Sequence, residues 1–284
     1  MILVTGASGH LGRLVVEGLT KKVPAAQIVA GVRTPEKAKD LAARGVQVRH
    51  LDYERPETIE AALRGVEKVL LVSGSELGRR LPQHTNVVNA VAKARPRLLV
   101  YTSILKADRS HIGLAGEHLA TEKLVTASGV PYVLLRNGWY VENYTGNMGG
   151  ALASGVLLGA AGVGKVSPAA RADYAEAAVA VLTQDGHAGK TYELAGDRAY
   201  GLADLAAEIA KGSGKPVRYQ DLPEREYSGM LQKFGLPAPV ADMLANADVG
   251  LSLGDLEDSS GTLRKLIGRP TTTFAEGVAA ALKG

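Results

Sequence analysis

Short apolar runs alternate with longer amphipathic stretches over the first half of this chain. Met1–Thr5, Gln27–Val32, Val46–Leu51, Lys68–Ser73, Leu98–Ser103 and Tyr132–Arg136 are apolar runs of five or six residues. Runs of that length read as strands buried on both faces. After the first of them, Leu11, Leu14, Val15 and Leu19 recur at i, i+3, i+4 and i+8, one face of an amphipathic helix. Similar patterns fill Pro35–Ala43, Pro56–Leu63, His84–Ala94 and His118–Ser128. Six strands separated by five helices predict two βαβαβ halves, and right-handed crossovers leave little choice of topology.

Beyond residue 137 the rhythm breaks. The stretch "NGWYVENYTGNMGG" (Asn137–Gly150) is rich in Asn, Gly and Tyr and reads as a ligand-touching loop, with Gly149-Gly150 as a hinge or a plain turn. Helical patterns follow at Ala170–Leu182, Gly201–Lys211 and Glu224–Phe234, and strand patterns at Lys190–Leu194 and Val217–Gln220. Thr273-Phe-Ala-Glu276 fits a capping box ahead of a last helix. The expected fold class is therefore α/β: a doubly wound, Rossmann-type parallel sheet over residues 1–137. A smaller mixed α/β lobe is expected over 138–284, with the chain free to cross back to the sheet. That lobe is expected to cover the carboxyl ends of the strands, where such sheets bind ligands.

Composition narrows the functions. With 46% hydrophobic and 22% charged residues among 284, the chain can bury a sizeable core. It has no cysteine, which excludes disulfides and thiolate metal sites and is compatible with the cytoplasm, the expected location. Met1 leads straight into Ile2-Leu3-Val4, a strand start rather than a signal peptide. No apolar run approaches the ~20 residues of a membrane span, so no membrane partner is expected. The net charge of +4 is scattered among acids, which argues against a nucleic-acid footprint. No metal-ligand spacing, nucleophile elbow or Walker loop occurs, so no metal cofactor is expected. A monomer and a homodimer remain open.

The chemistry begins at "GASGHLGR", Gly6 to Arg13. A glycine turn at the first strand–helix junction is the context of a dinucleotide site. Gly6 permits the tight turn, Gly9 the approach of pyrophosphate, and Gly12 close helix–strand packing. The amides of Ser8, Gly9, His10 and Leu11 then face the phosphates at the helix's positive end. His10 reads as a turn residue beside the pyrophosphate rather than a base. The second strand ends in Gly31-Val32-Arg33 with no acid. A carboxylate there would bind a ribose 2′-hydroxyl, whereas Arg33 can fork onto a 2′-phosphate. NADPH is thus the expected cofactor, with NADH as the alternative. Asp52, ending the third strand, either reaches adenine or caps the turn into Pro56. Ser73 and Gly74, ending the fourth, are placed beside the cofactor by topology.

Short-chain dehydrogenases pair this fold with a Ser at the fifth strand's end and a Tyr-x-x-x-Lys on the next helix. Ser103 ends "LLVYTS" and Lys123 lies in "GEHLATEK", but the position four before Lys123 is Leu119. The phenolic acid that alcohol and sugar substrates need is missing. The series GASGHLGR, Arg33, "YTSILKAD", "EHLATEKL", "LLRNGWYVENY", "RADYAEAA", "YELAG" and "LIGRPTTT" runs along nearly the whole chain. Together these motifs resemble the NmrA-like atypical branch of the short-chain family, and within it the bacterial NAD(P)H:quinone oxidoreductases, relatives of triphenylmethane reductases.

That resemblance implies flavin-free, NADPH-dependent hydride transfer to a quinone or another electrophilic aromatic. Lys123 is then expected near the nicotinamide ribose or at the acceptor oxygen, its bland alternative being an exposed helix lysine. Asn137, Trp139, Tyr140, Asn143 and Tyr144 form the expected acceptor site, with Tyr140 a second catalytic candidate. Aromatic rings can stack on a planar acceptor and the amides can bond its oxygens. Trp139 by itself suits core packing better than a ligand contact. Two other readings stay open: an NADP(H)-binding redox-sensing regulator without catalysis, and a reductase of triphenylmethane or azo dyes.

Overall fold

The computed structural model describes residues 1–146 and 148–283. The alternating half of the chain folds in the expected order: β1 (Ile2–Val4), α1 (His10–Leu19), β2 (Ile28–Val32), α2 (Lys39–Ala43), β3 (Gln47–His50), α3 (Pro56–Ala62), β4 (Lys68–Leu71), α4 (Arg80–Ala94), β5 (Leu98–Ile104), α5 (Leu114–Ala127) and β6 (Tyr132–Asn137). Then come α6 (Glu142–Thr145), α7 (Met148–Ser154), β7 (Val156–Gly159), β8 (Lys165–Val166), α8 (Arg171–Thr183), β9 (Lys190–Leu194), β10 (Tyr200–Gly201), α9 (Leu202–Ser213), β11 (Arg218–Asp221), α10 (Glu224–Lys233), α11 (Ala238–Ser252), α12 (Thr262–Ile267) and α13 (Phe274–Ala281).

The main sheet has seven strands in the order β3-β2-β1-β4-β5-β6-β9. Leu3 pairs in parallel with Val29 on one side and Val69 on the other. The order reverses between β1 and β4, which is where doubly wound sheets open a crevice for ligands. Strands β1, β2 and β5 are buried throughout. Strand β3 is half-buried to exposed, because it is the sheet's edge and lacks a second neighbour. Leu3, Val29, Val69, Leu71 and Leu99 share a core with Ile59, Val87, Val88 and Val91 of α3 and α4.

Contacts divide the chain into two interleaved units. One holds residues 1–104, 117–136 and 171–192; the other holds 105–116, 137–170 and 193–284. In the first, α8 packs against α1, where a Cβ on Gly18 would lie 2.8 Å from Val179 Cγ2. Lys68 of β4 donates to the carbonyl of Leu182 at 2.7 Å. In the second, β7 pairs in parallel with β11 and β8 antiparallel with β10, around a core of Ala161, Val166, Leu205, Ile209, Leu251 and Phe274. The capping box forms as expected: Thr273 Oγ1 accepts from the Glu276 amide, and Glu276 accepts from the Thr273 amide at 2.7 Å.

Two expectations need correction. The Asn137–Gly150 stretch is not one loop, since α6 and the start of α7 lie in it. Val141, Thr145, Met148 and Ala151 are buried at i, i+4, i+7 and i+10, a helical stripe hidden under a polar composition. Pro35–Ala43 is not one helix either, but a 3₁₀ turn at Pro35–Ala38 followed by α2. Helix α11 had no counterpart in the pattern because small residues dominate it, with Ala241, Ala245 and Ala247 buried.

Candidate active site

Gly6 sits at φ +57°, the left-handed region that favours glycine. The Gly9 amide closes the turn onto the Gly6 carbonyl at 2.9 Å. A Cβ on Gly12 would fall 2.4 Å from the Gly6 carbonyl oxygen, so α1 passes too close to the turn for any side chain. Gly9 is the N-cap of α1, supplies no capping side chain, and no acid occupies the first turn. The first N–H groups of α1 are therefore left for an outside acceptor, and the helix's positive end favours an anion. Ser8 is half-buried, His10 exposed and Leu11 buried at this end. A cradle of N–H donors with glycine where a Cβ would intrude fits the pyrophosphate of a dinucleotide.

Around that turn the unit is cross-tied. Tyr53 Oη meets Thr5 Oγ1 at 2.5 Å and the Val72 carbonyl at 2.8 Å. Asp52 accepts from the Glu54 amide at 3.0 Å, the turn-capping alternative, and its own amide donates to Thr58 Oγ1. The Ser73 amide donates to Thr102 Oγ1 at 2.9 Å. Gly74 is held on both sides: its amide donates to His84 Nε2 at 3.0 Å, and its carbonyl accepts from Arg80 Nε at 2.9 Å. With Nε2 an acceptor, His84 Nδ1 carries the hydrogen and donates to Thr121 Oγ1 at 3.0 Å. Burial, seconded by the Arg80 charge, lowers the His84 pKa to about 3. Arg33 is exposed and pairs with Glu76 at 2.9 Å.

At the end of β5, Ser103 does not meet Lys123. Its hydroxyl donates to Glu122 Oε1 at 2.6 Å, and Glu122 also takes Arg136 Nε at 2.9 Å and Nη2 at 2.7 Å. All three side chains are buried. Neighbouring residues on a helix point about 100° apart, so α5 turns Glu122 toward β5 and leaves Lys123 exposed. No hydrogen bond or ion pair is formed by the Lys123 ammonium among the described residues. His118, one residue before Leu119, bonds the buried Tyr101 hydroxyl at 2.8 Å, and burial holds its pKa well below the usual histidine range.

In the second unit, Tyr140 forms a parallel bridge with Ala169, whose amide donates to the Trp139 carbonyl at 3.2 Å. Trp139 and Tyr144 pack against that unit's apolar core. Asn143 is half-buried, and its amide donates to the Tyr140 carbonyl at 3.0 Å. Two buried polar side-chain atoms have no hydrogen-bond partner among the described residues: Asn137 Oδ1 and Tyr144 Oη. Buried polar atoms are nearly always paired, so these two are exceptions within the second unit. Burial and the Asp248 charge push the Tyr144 hydroxyl well above the usual phenol range.

Asp248 itself was not foreseen, because nothing in "ANADVG" marks a functional carboxylate. Its Oδ2 accepts from the Ala160 amide at 2.8 Å, and a Cβ on Gly159 would sit 2.7 Å from that oxygen. Burial raises its pKa to about 7, with Asp221 adding to the effect. The same holds for the Tyr53–His84 network, the Ser103–Glu122–Arg136 cluster and Glu76: each is built from residues far apart in the sequence.

Among the described residues, no group of three His, Cys, Asp or Glu side chains stands close enough to hold a metal, and no helix is long and apolar enough to cross a membrane. Residues 6–185 match the NAD(P)H-binding family. The chain is 56% identical over 278 residues to quinone oxidoreductase 2 of Escherichia coli (strain K12), covering 98% of this chain and 97% of that one. The fold superposes on the crystal structure of the NADPH-dependent Escherichia coli quinone oxidoreductase complexed with NADPH, with TM-score 0.97, 55% identity, and coverage of 99% of this chain and 100% of that one. It also matches the Citrobacter triphenylmethane reductase complexed with NADP(H), with TM-score 0.95, 40% identity and the same two coverages.

Proposed function

The chain belongs to the NAD(P)H-binding family, and from that premise we propose that it is a flavin-independent reductase that carries hydride from NADPH to a quinone. Full-length identity to the Escherichia coli quinone oxidoreductase 2 carries this reading. Bound NADPH supplies the hydride. In this reading the turn from Ser8 to Gly12 holds the pyrophosphate, with Gly6 shaping it, and Arg33 takes the 2′-phosphate. Ser73, Gly74 and Asp52 border the nucleotide, and Ser103 keeps its lone pairs available while Glu122 takes its hydrogen. A cytoplasmic location fits the cysteine-free chain.

The missing phenol at position 119 suits the acceptor. A quinone is electron-poor and takes hydride without a strong acid on its carbonyl. Its product oxygens are phenols with pKa values near ~10, which water or a weak acid can protonate. What the protein adds is orientation, worth up to roughly 7–11 kcal/mol in favourable cases, and stabilisation of developing negative charge. The Tyr144 hydroxyl donates to an oxygen of the acceptor, and Asn137 Oδ1 accepts from a hydroxyl of the reduced product. Trp139, Tyr140 and Asn143 supply flat and polar contact, and the exposed ammonium of Lys123 supplies charge to the bound ligand.

The test is oxidation of NADPH and NADH by flavin-free protein against a panel of quinones and dyes. Quinone-dependent oxidation that favours NADPH is expected. No turnover with any acceptor would overturn the enzyme reading and leave an NADP(H)-binding regulator. The likeness to triphenylmethane reductase favours one second reading: a dye reduced faster than every quinone moves the substrate to that class.

A further inference from the structure

The end of β2 carries no acid, yet a carboxylate reaches Arg33 from elsewhere. Glu76 lies in the segment between β4 and α4, and its Oε1 takes Arg33 Nη1 at 2.9 Å. Its Oε2 takes Gln83 Nε2 at 3.0 Å. Gln83 is a buried residue of α4, so the carboxylate rests on a fixed support.

The backbone carrying Glu76 is fixed as well. On one side, Gly74 is clamped by His84 and Arg80. On the other, the Gly78 amide donates to Glu117 Oε1 at 3.1 Å, while Glu117 Oε2 takes Arg80 Nη1 at 2.5 Å. A Cβ on Gly74 would lie 3.1 Å from Gln83 Oε1, so segment and helix are in close contact there. Glu76 stands between two pinned glycines and projects its charge at the one guanidinium expected to read the 2′-phosphate.

The pair contributes little to folding. Both side chains are substantially exposed, 67% for Arg33 and 44% for Glu76, and exposed pairs are weak and screened by salt. A weak but pre-placed anion on a recognition arginine can be exchanged for a stronger one. A phosphate dianion offers three acceptor oxygens and more charge than a carboxylate.

We propose that Glu76 is a specificity-determining residue: an internal counter-ion for Arg33 that the 2′-phosphate of NADPH must displace. This rests on the assignment of Arg33 to the 2′-phosphate. NADH, with no phosphate to compete, leaves the Arg33–Glu76 pair in place. Glu76 therefore narrows the gap between the two cofactors, lowering NADPH affinity while leaving NADH almost untouched.

The test is direct binding of NADPH, NADH and adenosine 2′,5′-bisphosphate to the full chain and to Glu76→Gln, Arg33→Ala and the double variant. Glutamine keeps an acceptor for Gln83 and removes the charge. Glu76→Gln is expected to tighten NADPH and the bisphosphate about threefold to tenfold, and to change NADH by less than about twofold. In the Arg33→Ala background most of that gain should vanish. Unchanged NADPH affinity in Glu76→Gln, with Arg33→Ala still selective against NADPH, overturns the proposal alone. Equal loss of NADPH and NADH in Arg33→Ala overturns the Arg33 assignment beneath it. A gain that persists in full without Arg33 also overturns the proposal, since Glu76 would then act by general repulsion.

Discussion

Ser103 gives its hydroxyl hydrogen to Glu122, 19 residues away on α5, at 2.6 Å. The Ser at the end of β5 is therefore tied to the residue before the candidate lysine, and the buried Arg136–Glu122 pair backs that tie.

Removing one member of a buried pair strands the other's charge, at about 3–5 kcal/mol. Glu122→Ala is expected to lower unfolding free energy by that amount in urea denaturation. Lys123→Ala, at an exposed position, should change stability by less than about 0.5 kcal/mol. Its expected effect is on chemistry, a loss in kcat/KM of tenfold or more, since charge stabilisation is worth more than one factor of ten. An unchanged kcat/KM would return Lys123 to an ordinary surface lysine.

His84 makes the nucleotide unit acid-sensitive. Its pKa is about 3 in the fold against an ordinary value near ~6.5 in the unfolded chain, so the unfolded state takes up the proton first. The stabilisation is complete above about pH 6.5 and is lost as pH falls toward 3. Urea titrations at pH 7.5 and 5 should show the drop. His84→Ala should make the drop shallower, the buried His118 carrying the rest, while costing about 1–3 kcal/mol at pH 7.5, because the Gly74 amide loses its acceptor. A variant with the same pH slope as the parent would show that another group carries the acid sensitivity.

Asp248 works in the opposite direction. Its pKa is raised from 3.8 to about 7, so the fold holds a proton that the unfolded chain releases. Stability is lost as pH rises from about 4 to 7, by up to about 4 kcal/mol. Asp248→Asn keeps an acceptor for the Ala160 amide and removes the titration. It should be more stable than the parent at pH 8 and close to it at pH 4; a lower melting temperature than the parent at pH 8 would refute this account.

Tyr144→Phe separates folding from function. An unpartnered buried hydroxyl costs stability, so its removal should be neutral or stabilising by about 1 kcal/mol. If the hydroxyl meets the acceptor, the quinone KM rises severalfold with the NADPH KM unchanged. A destabilised variant with unaltered KM would assign Tyr144 to packing.

Much of this protein is set by local rules. The periods of two kinds of apolar pattern fixed the order of the first six strands and their helices, because strand and helix faces repeat at different spacings. Gly6 and Gly12 were legible for the same reason: a left-handed φ and a 2.4 Å approach each demand glycine. The helical stripe of Val141, Thr145, Met148 and Ala151 was also present in the sequence, masked by Asn, Gly and Tyr between its members. Tertiary structure decided the rest. The seventh strand joins the sheet after a long excursion. Arg33 and Glu76 lie 43 positions apart, and Ser103 and Glu122 lie 19 apart, and no periodic signal in the chain marks either contact. Burial sets the pKa of His84 and Asp248, and burial belongs to the packed fold, so no residue type announces it. The sequence determined the glycine turn and the helix that follows it; long-range packing decided which charged side chains meet around that turn.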